Sequence, residues 1–165
     1  MLRSRLIIVF IFICAVLFIS NITCTTSFKT KSGKTYKASS IEAAEIIDTL
    51  RIISIDLSYE IEANRGNLMR KTLQNTSYKE LINQDDNILA WNYDKGRELG
   101  FKLRQDNGEY YSAEHMIESL FHELAHSGSK TVGHGAEWVS NFNYLMTYKD
   151  KYVTILRKKN KVKIK

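Results

Sequence analysis

The chain contains no proline, so nothing in it forces a helix to kink or break. Cysteine is nearly absent. Cys14 lies inside an apolar run and Cys24 just past it, and a bridge between them would staple nothing in a folded domain, so no disulfide is expected. From Thr25 onward there is no thiol, and any metal bound there must use His, Asp or Glu. Histidine is scarce too, four in 165 residues, so a cluster of it carries information. Hydrophobic residues at 44% and charged residues at 25% exclude a disordered chain and fit one compact domain. No internal repeat is present. The formal charge of +6 is unevenly placed: residues 149–165 hold eight bases against Asp150, about +7, which leaves the rest near neutral.

Leu6 to Ile19 is an unbroken apolar run preceded by Arg3 and Arg5. About 14 to 17 helical residues span roughly 21–26 Å, between a secretory core and a full transmembrane helix. No small-x-small cleavage site follows, so an uncleaved single-pass N-terminal anchor is expected. A cleaved signal, giving a secreted domain, and a core helix are the alternatives. Lys29, Lys31, Lys34 and Lys37 lean towards a cytoplasmic domain. Asn75-Thr76-Ser77 would be a glycosylation acceptor were the domain lumenal.

Residues 25–37 read as a polar linker or an initial strand. Ser39 and Glu42 form a capping box, and Ala43, Ile46, Ile47, Leu50, Ile53, Leu57 and Ile61 then trace one helical stripe. Asn64-Arg65-Gly66 is the expected stop, and a shorter helix over Leu68–Ile82, broken near Asn75, follows. Ile88–Tyr93, a turn at Asp94-Lys95-Gly96, and the alternating Leu99, Phe101 and Leu103 predict strands. With a turn at Asp106-Asn107-Gly108 and a return over Glu109–Tyr111, they make a small antiparallel meander. Helices, a small sheet and two further helices amount to an α+β fold.

His122 and His126, four apart, lie on one face of a helix and can reach one ion at about 2.0–2.1 Å. Glu123 sits about 100° round, beside that face, where it can hold a water without ligating. Ile117, Leu120, Phe121, Leu124 and Ala125 supply the opposite, apolar face. A catalytic zinc takes three protein ligands and leaves one position open. His134 is the best third ligand, reached after a turn at Gly128, with Gly133 and Gly135 letting the backbone approach the metal. Glu137 is the alternative ligand, or a group that orients one. His115 lies seven residues before His122, about 10 Å away along the axis, and reads as a helix-start or surface residue.

HELAH followed by GHGAEW and the run Val139–Leu145 resembles the WLM and SprT-like zinc metallopeptidases, with Trp138 where Phe is more usual. The likeness is greatest to short WLM-like peptidases of large DNA viruses. It covers roughly Ser39 to Tyr148. It implies a minimal zincin-like domain, peptide-bond hydrolysis, His122, His126 and His134 as ligands of Zn2+, and Glu123 as the base acting on a zinc-bound water. Cellular relatives imply proteolysis of proteins crosslinked to DNA.

The chain is therefore expected to divide into a hydrophobic segment 1–24, a linker 25–38, a metallopeptidase domain 39–148 and a basic tail 149–165. Its partners would be a protein or peptide substrate and a membrane. Anionic lipid or nucleic acid would meet Arg157, Lys158, Lys159, Lys161, Lys163 and Lys165. The strand Leu99–Arg104 would receive an extended substrate, with Tyr110, Tyr111 and Tyr144 as candidate oxyanion stabilisers. A DNA-associated protease and a non-catalytic zincin-fold membrane protein are the competing readings.

Overall fold

The computed structural model describes residues 26–82 and 87–160. The expectations for segment 1–24 and for Lys161, Lys163 and Lys165 lie outside the described residues. Within them, five helices and five short strands form an α+β arrangement. No helix among the described residues is long and apolar enough to cross a membrane.

The stripe that begins at Ala43 forms helix α1 (Ile41–Glu60), and every one of its residues named above is buried. Its cap is Ser40, whose hydroxyl accepts the Ala43 N–H at 3.2 Å, one position later than expected. Ser39 is drawn elsewhere: its N–H and hydroxyl both donate to the buried Glu80 carboxylate, at 2.5 and 3.0 Å. The helix ends before Ile61, not at Gly66. Gly66 lies inside helix α2 (Ala63–Leu73), where any Cβ would collide with the Ser58 carbonyl oxygen. It lets α2 cross closely over the end of α1.

The predicted helix over Leu68–Ile82 is only partly one. After Leu73 the chain turns into a strand, Ser77–Glu80, with Tyr78 and Glu80 buried and Ser77 exposed. The Tyr78 hydroxyl bonds Ser54 of α1 at 2.6 Å, and that tertiary pull overrides local helix preference. The hairpin strands Thr26–Lys29 and Thr35–Ala38 come first in the chain, so they are β1 and β2 and Ser77–Glu80 is β3. The hairpin occupies the stretch read as a linker or an initial strand. Buried Asp48 of α1 holds it, accepting from the Tyr36 hydroxyl at 2.7 Å and Thr30 Oγ1 at 3.2 Å.

Strands β4 (Ala90–Tyr93) and β5 (Glu98–Phe101) pair antiparallel, but β5 also pairs in parallel with β3. The sheet order β3-β5-β4 is mixed, which corrects the antiparallel meander. It also corrects the proposed substrate edge. β5 is central, with Leu99, Gly100 and Phe101 all buried, and β4 carries a free edge. The return over Glu109–Tyr111 is reduced to one bridge, Arg104 to Tyr110.

Three helices complete the domain: α3 (Ala113–Ser127), α4 (Ala136–Met146) and α5 (Lys149–Asn160). The last of these corrects the basic tail. Tyr152, Val153 and Leu156 share one face and are buried against α1 and α3. Tyr152 meets Phe121 edge-on at 6.3 Å and donates to Glu60 at 2.8 Å. The apolar spacing was present in the sequence but was masked by the surrounding lysines. Lys149 pairs with Glu118, Lys151 with Glu60 and Arg157 with Glu114, so three of the five described bases of this segment are engaged.

Candidate metal centre

Helix α3 supplies the platform. Ser112 caps it by accepting the His115 N–H at 3.2 Å, and Ile117, Leu120, Phe121, Leu124 and Ala125 are fully buried. Locking that face into the core fixes the rotation of the helix and turns His122 and His126 outward, their ring centroids 5.1 Å apart. Asn92 of β4 adds a cross-link, its Nδ2 donating to the Glu123 carbonyl at 2.8 Å and to Ser127 Oγ at 2.9 Å.

The helix stops at Gly128, whose N–H bonds the Leu124 carbonyl at 2.8 Å. The chain then turns back through Gly133, at φ +84°, a left-handed conformation that favours glycine. Neither Gly133 nor Gly135 is approached by another side chain or backbone atom within 4 Å where a Cβ would stand. Gly135 instead begins α4. The returning loop is held by side chains. Glu137 Oε2 accepts from the Lys130 and Thr131 N–H groups at 3.0 and 3.3 Å and from the Thr131 hydroxyl at 3.4 Å. Asn141 Nδ2 donates to the Gly128 carbonyl at 3.1 Å and to Ser129 Oγ at 3.0 Å.

The loop delivers His134 to the helical pair. Its Nε2 lies 3.2 Å from His122 Nε2, and one nitrogen of each of His122, His126 and His134 falls within 4.8 Å of the other two. Two nitrogens bound tetrahedrally at about 2.0–2.1 Å stand about 3.3–3.4 Å apart, so the donor set fits one ion. Glu137 is engaged with the loop backbone and is not part of the cluster of His122, His126 and His134. Burial lowers the His122 pKa, helped by nearby His134. Burial and the two neighbouring histidines bring His126 down to about 4. Neutral imidazoles are the form that ligates metal.

Trp138 backs all three rings, with centroids 4.8, 5.5 and 4.4 Å from His122, His126 and His134. It donates Nε1–H to the His122 carbonyl at 3.3 Å and stacks on Phe142 at 5.1 Å. Glu123 is buried, 5% exposed, and burial pushes its carboxyl up to about 7. A cation held by the histidines would draw it back towards the ionised form. It stands between two cavities, one of 340 Å³ and one of 540 Å³. Leu89 and Ala90 line the first and Trp91 and Asn92 the second, so β4 runs from one to the other past Glu123.

The three tyrosines expected to stabilise an oxyanion line neither cavity. Tyr110 lies under Arg104 and accepts from it, Tyr111 stacks on His115, and Tyr144 pairs with Tyr148. His115 lies in the first turn of α3, as expected, and also lines the smaller cavity. The roles of Asn92 and Asn141 had no motif to announce them. Each depends on a partner distant in sequence.

The WLM domain model matches residues 64–147, from the start of α2 through the end of α4. No curated protein matches the chain. Among solved structures, the crystal structure of Wss1 from Saccharomyces cerevisiae is 20% identical with a TM-score of 0.43, over 60% of this chain and 76% of that one.

Proposed function

The chain belongs to the WLM domain family, and on that footing we propose that it is a zinc metallopeptidase. One observation carries the reading: three imidazoles converge beside a buried carboxyl, next to the edge strand of the sheet. His122, His126 and His134 would hold the ion, and a three-nitrogen set with an open fourth position is a donor set of catalytic zinc. Bound zinc would supply a water of lowered pKa and polarise the scissile carbonyl.

This chain's own residues account for the rest. An extended substrate adds its backbone to the free edge of β4 and lies across Glu123. Glu123 takes a proton from the attacking water and passes it to the departing amine. A buried carboxyl shared by the two cavities is placed for both transfers. Asn92 and Trp138 hold the backbone of α3 at Glu123 and His122, which keeps base and ligands in fixed relation. The apolar run Leu6–Ile19 would tether this activity to a membrane, so the full chain should sediment with membranes and resist alkaline extraction. The DNA-associated reading draws less support, since most described bases of α5 are paired with acids. A non-catalytic role would leave the buried Glu123 without a use.

Glu123→Gln tests the mechanism. In full chain kept in detergent micelles, zinc content should hold while cleavage of unstructured peptides falls by about 10²–10⁴. Cleavage equal to wild type would contradict the assignment of the base.

A further inference from the structure

The hairpin β1–β2 has two unlike faces. One carries Phe28, Tyr36 and Ala38, of which Tyr36 and Ala38 are buried and Phe28 half-buried. The other carries Ser27, Lys29, Thr35 and Lys37, all exposed, because side chains alternate along each strand. Lys31 and Lys34 continue the exposed side through the turn. Residues 26–40 hold no acid. Glu45 of α1 reaches the turn, where it accepts the Lys31 N–H at 2.9 Å, and Asp48 behind the hairpin is paired with Arg51. Among the described residues no ion pair holds any of the four lysine side chains. The bases of α5 differ, since Lys149, Lys151 and Arg157 are each matched to an acid.

The lysines are also firmly presented. The Thr30 N–H bonds the Lys34 carbonyl at 2.8 Å and the Gly33 N–H bonds the Thr30 carbonyl at 2.9 Å, which closes the turn. Their place in the chain says what they meet. The apolar run Leu6–Ile19 ends seven residues before β1 begins at Thr26. Seven residues reach at most about 23–25 Å, so whatever surface the run enters stays within reach of the hairpin. On its other side the hairpin adjoins β3, through Ser39 and Glu80, and β3 is the edge of the sheet opposite β4.

We propose that the four-lysine face of β1–β2 docks on an anionic lipid surface, and that this turns the β4 cleft away from the bilayer towards polypeptides in water. The inference rests on the membrane-tether part of the reading above and not on the peptidase part. Each lysine brought to an anionic surface favours contact by about fivefold. Four on one fixed face act together, and the tether supplies the proximity in advance. Nucleic acid offers the same charge, but the tether places lipid, not nucleic acid, beside these lysines.

The test uses wild-type full chain in lipid nanodiscs of phosphatidylcholine, alone or with about 30% phosphatidylglycerol. Acetylation by an amine-specific reagent is followed residue by residue in mass spectra. It should slow about fivefold or more at Lys29, Lys31, Lys34 and Lys37 in the anionic discs, and about 0.5 M salt should restore the rates. Lys130, next to Thr131 of the larger cavity, and Lys158 of α5 are exposed and should react equally in both discs. Equal hairpin rates in the two discs, or equal slowing at Lys130, overturns the proposal. Stronger shielding by a short DNA duplex in neutral discs than by phosphatidylglycerol also overturns it, and assigns the face to nucleic acid. Alkaline extraction separates the two readings. Chain that resists alkali but shows equal hairpin rates keeps the tether and loses the docking. Chain released by alkali whose hairpin lysines are still shielded by anionic vesicles keeps the docking and loses the tether.

Discussion

Helix α3 and the loop from Gly128 to Gly135 both deliver imidazoles to one point, but by opposite means. The helix does so through burial: its apolar face is sealed in the core, and His122 and His126 follow from the 3.6-residue period. Beyond buried Gly128 and Ser129 the loop has little burial to draw on. Val132 is 85% exposed and His134 is exposed as well. What holds the loop is hydrogen bonding from α4, with the Glu137 carboxylate on two N–H groups and Asn141 on the Gly128 carbonyl. Two of the three proposed ligands therefore rest on packing and one rests on a polar clamp. The clamp is the softer part of the centre, and the part through which metal affinity can be tuned without unfolding the domain.

The sharpest way to break this comparison is to remove a ligand from each side. Zinc in four-ligand peptide sites is worth roughly 10–16 kcal/mol, so His126→Ala should cost about 3 kcal/mol or more, over about a hundredfold in Kd. His134→Ala, which opens a position water can fill from the exposed side, should cost about ten- to a hundredfold. Competition against a fluorescent zinc chelator reads both, and equal losses would end the distinction. Glu137→Ala tests the clamp itself. It should weaken zinc about tenfold while the helical circular dichroism and thermal midpoint stay put, with Glu137→Gln recovering part of the affinity. A lowered midpoint with unchanged affinity would make Glu137 merely structural. Val132→Ser, at the exposed tip, should change stability by no more than about 0.5 kcal/mol in urea titration.

The same contrast explains what could be read in advance. The α1 stripe, the active helix and the pair His122 and His126 were legible because periodicity encodes burial. So was His134, from its glycine-flanked place after the helix. The errors fall where a distant partner decides. Ser77–Glu80 is a strand because Tyr78 reaches Ser54, and β5 is central because it pairs with that strand. Ser39 gives up the cap because Glu80 claims it. Lysines hid the apolar face of α5 from a reading based on charge. His115 does stand at the helix start, but its place on a cavity wall was not visible because that wall is completed by β4 and α4. The fold class needed only local pattern, whereas the cleft needed the order of strands.

Everything proposed for this chain's chemistry depends on a metal held by three imidazoles, two set by packing and one by the loop. Zinc-edge X-ray absorption on full chain, purified in micelles and reconstituted with zinc, tests it most directly. The expected result is about one zinc per chain with three imidazole nitrogens at about 2.0–2.1 Å and one further light ligand. A well-folded chain that takes up no zinc, or a zinc shell with fewer than three imidazoles, would contradict it.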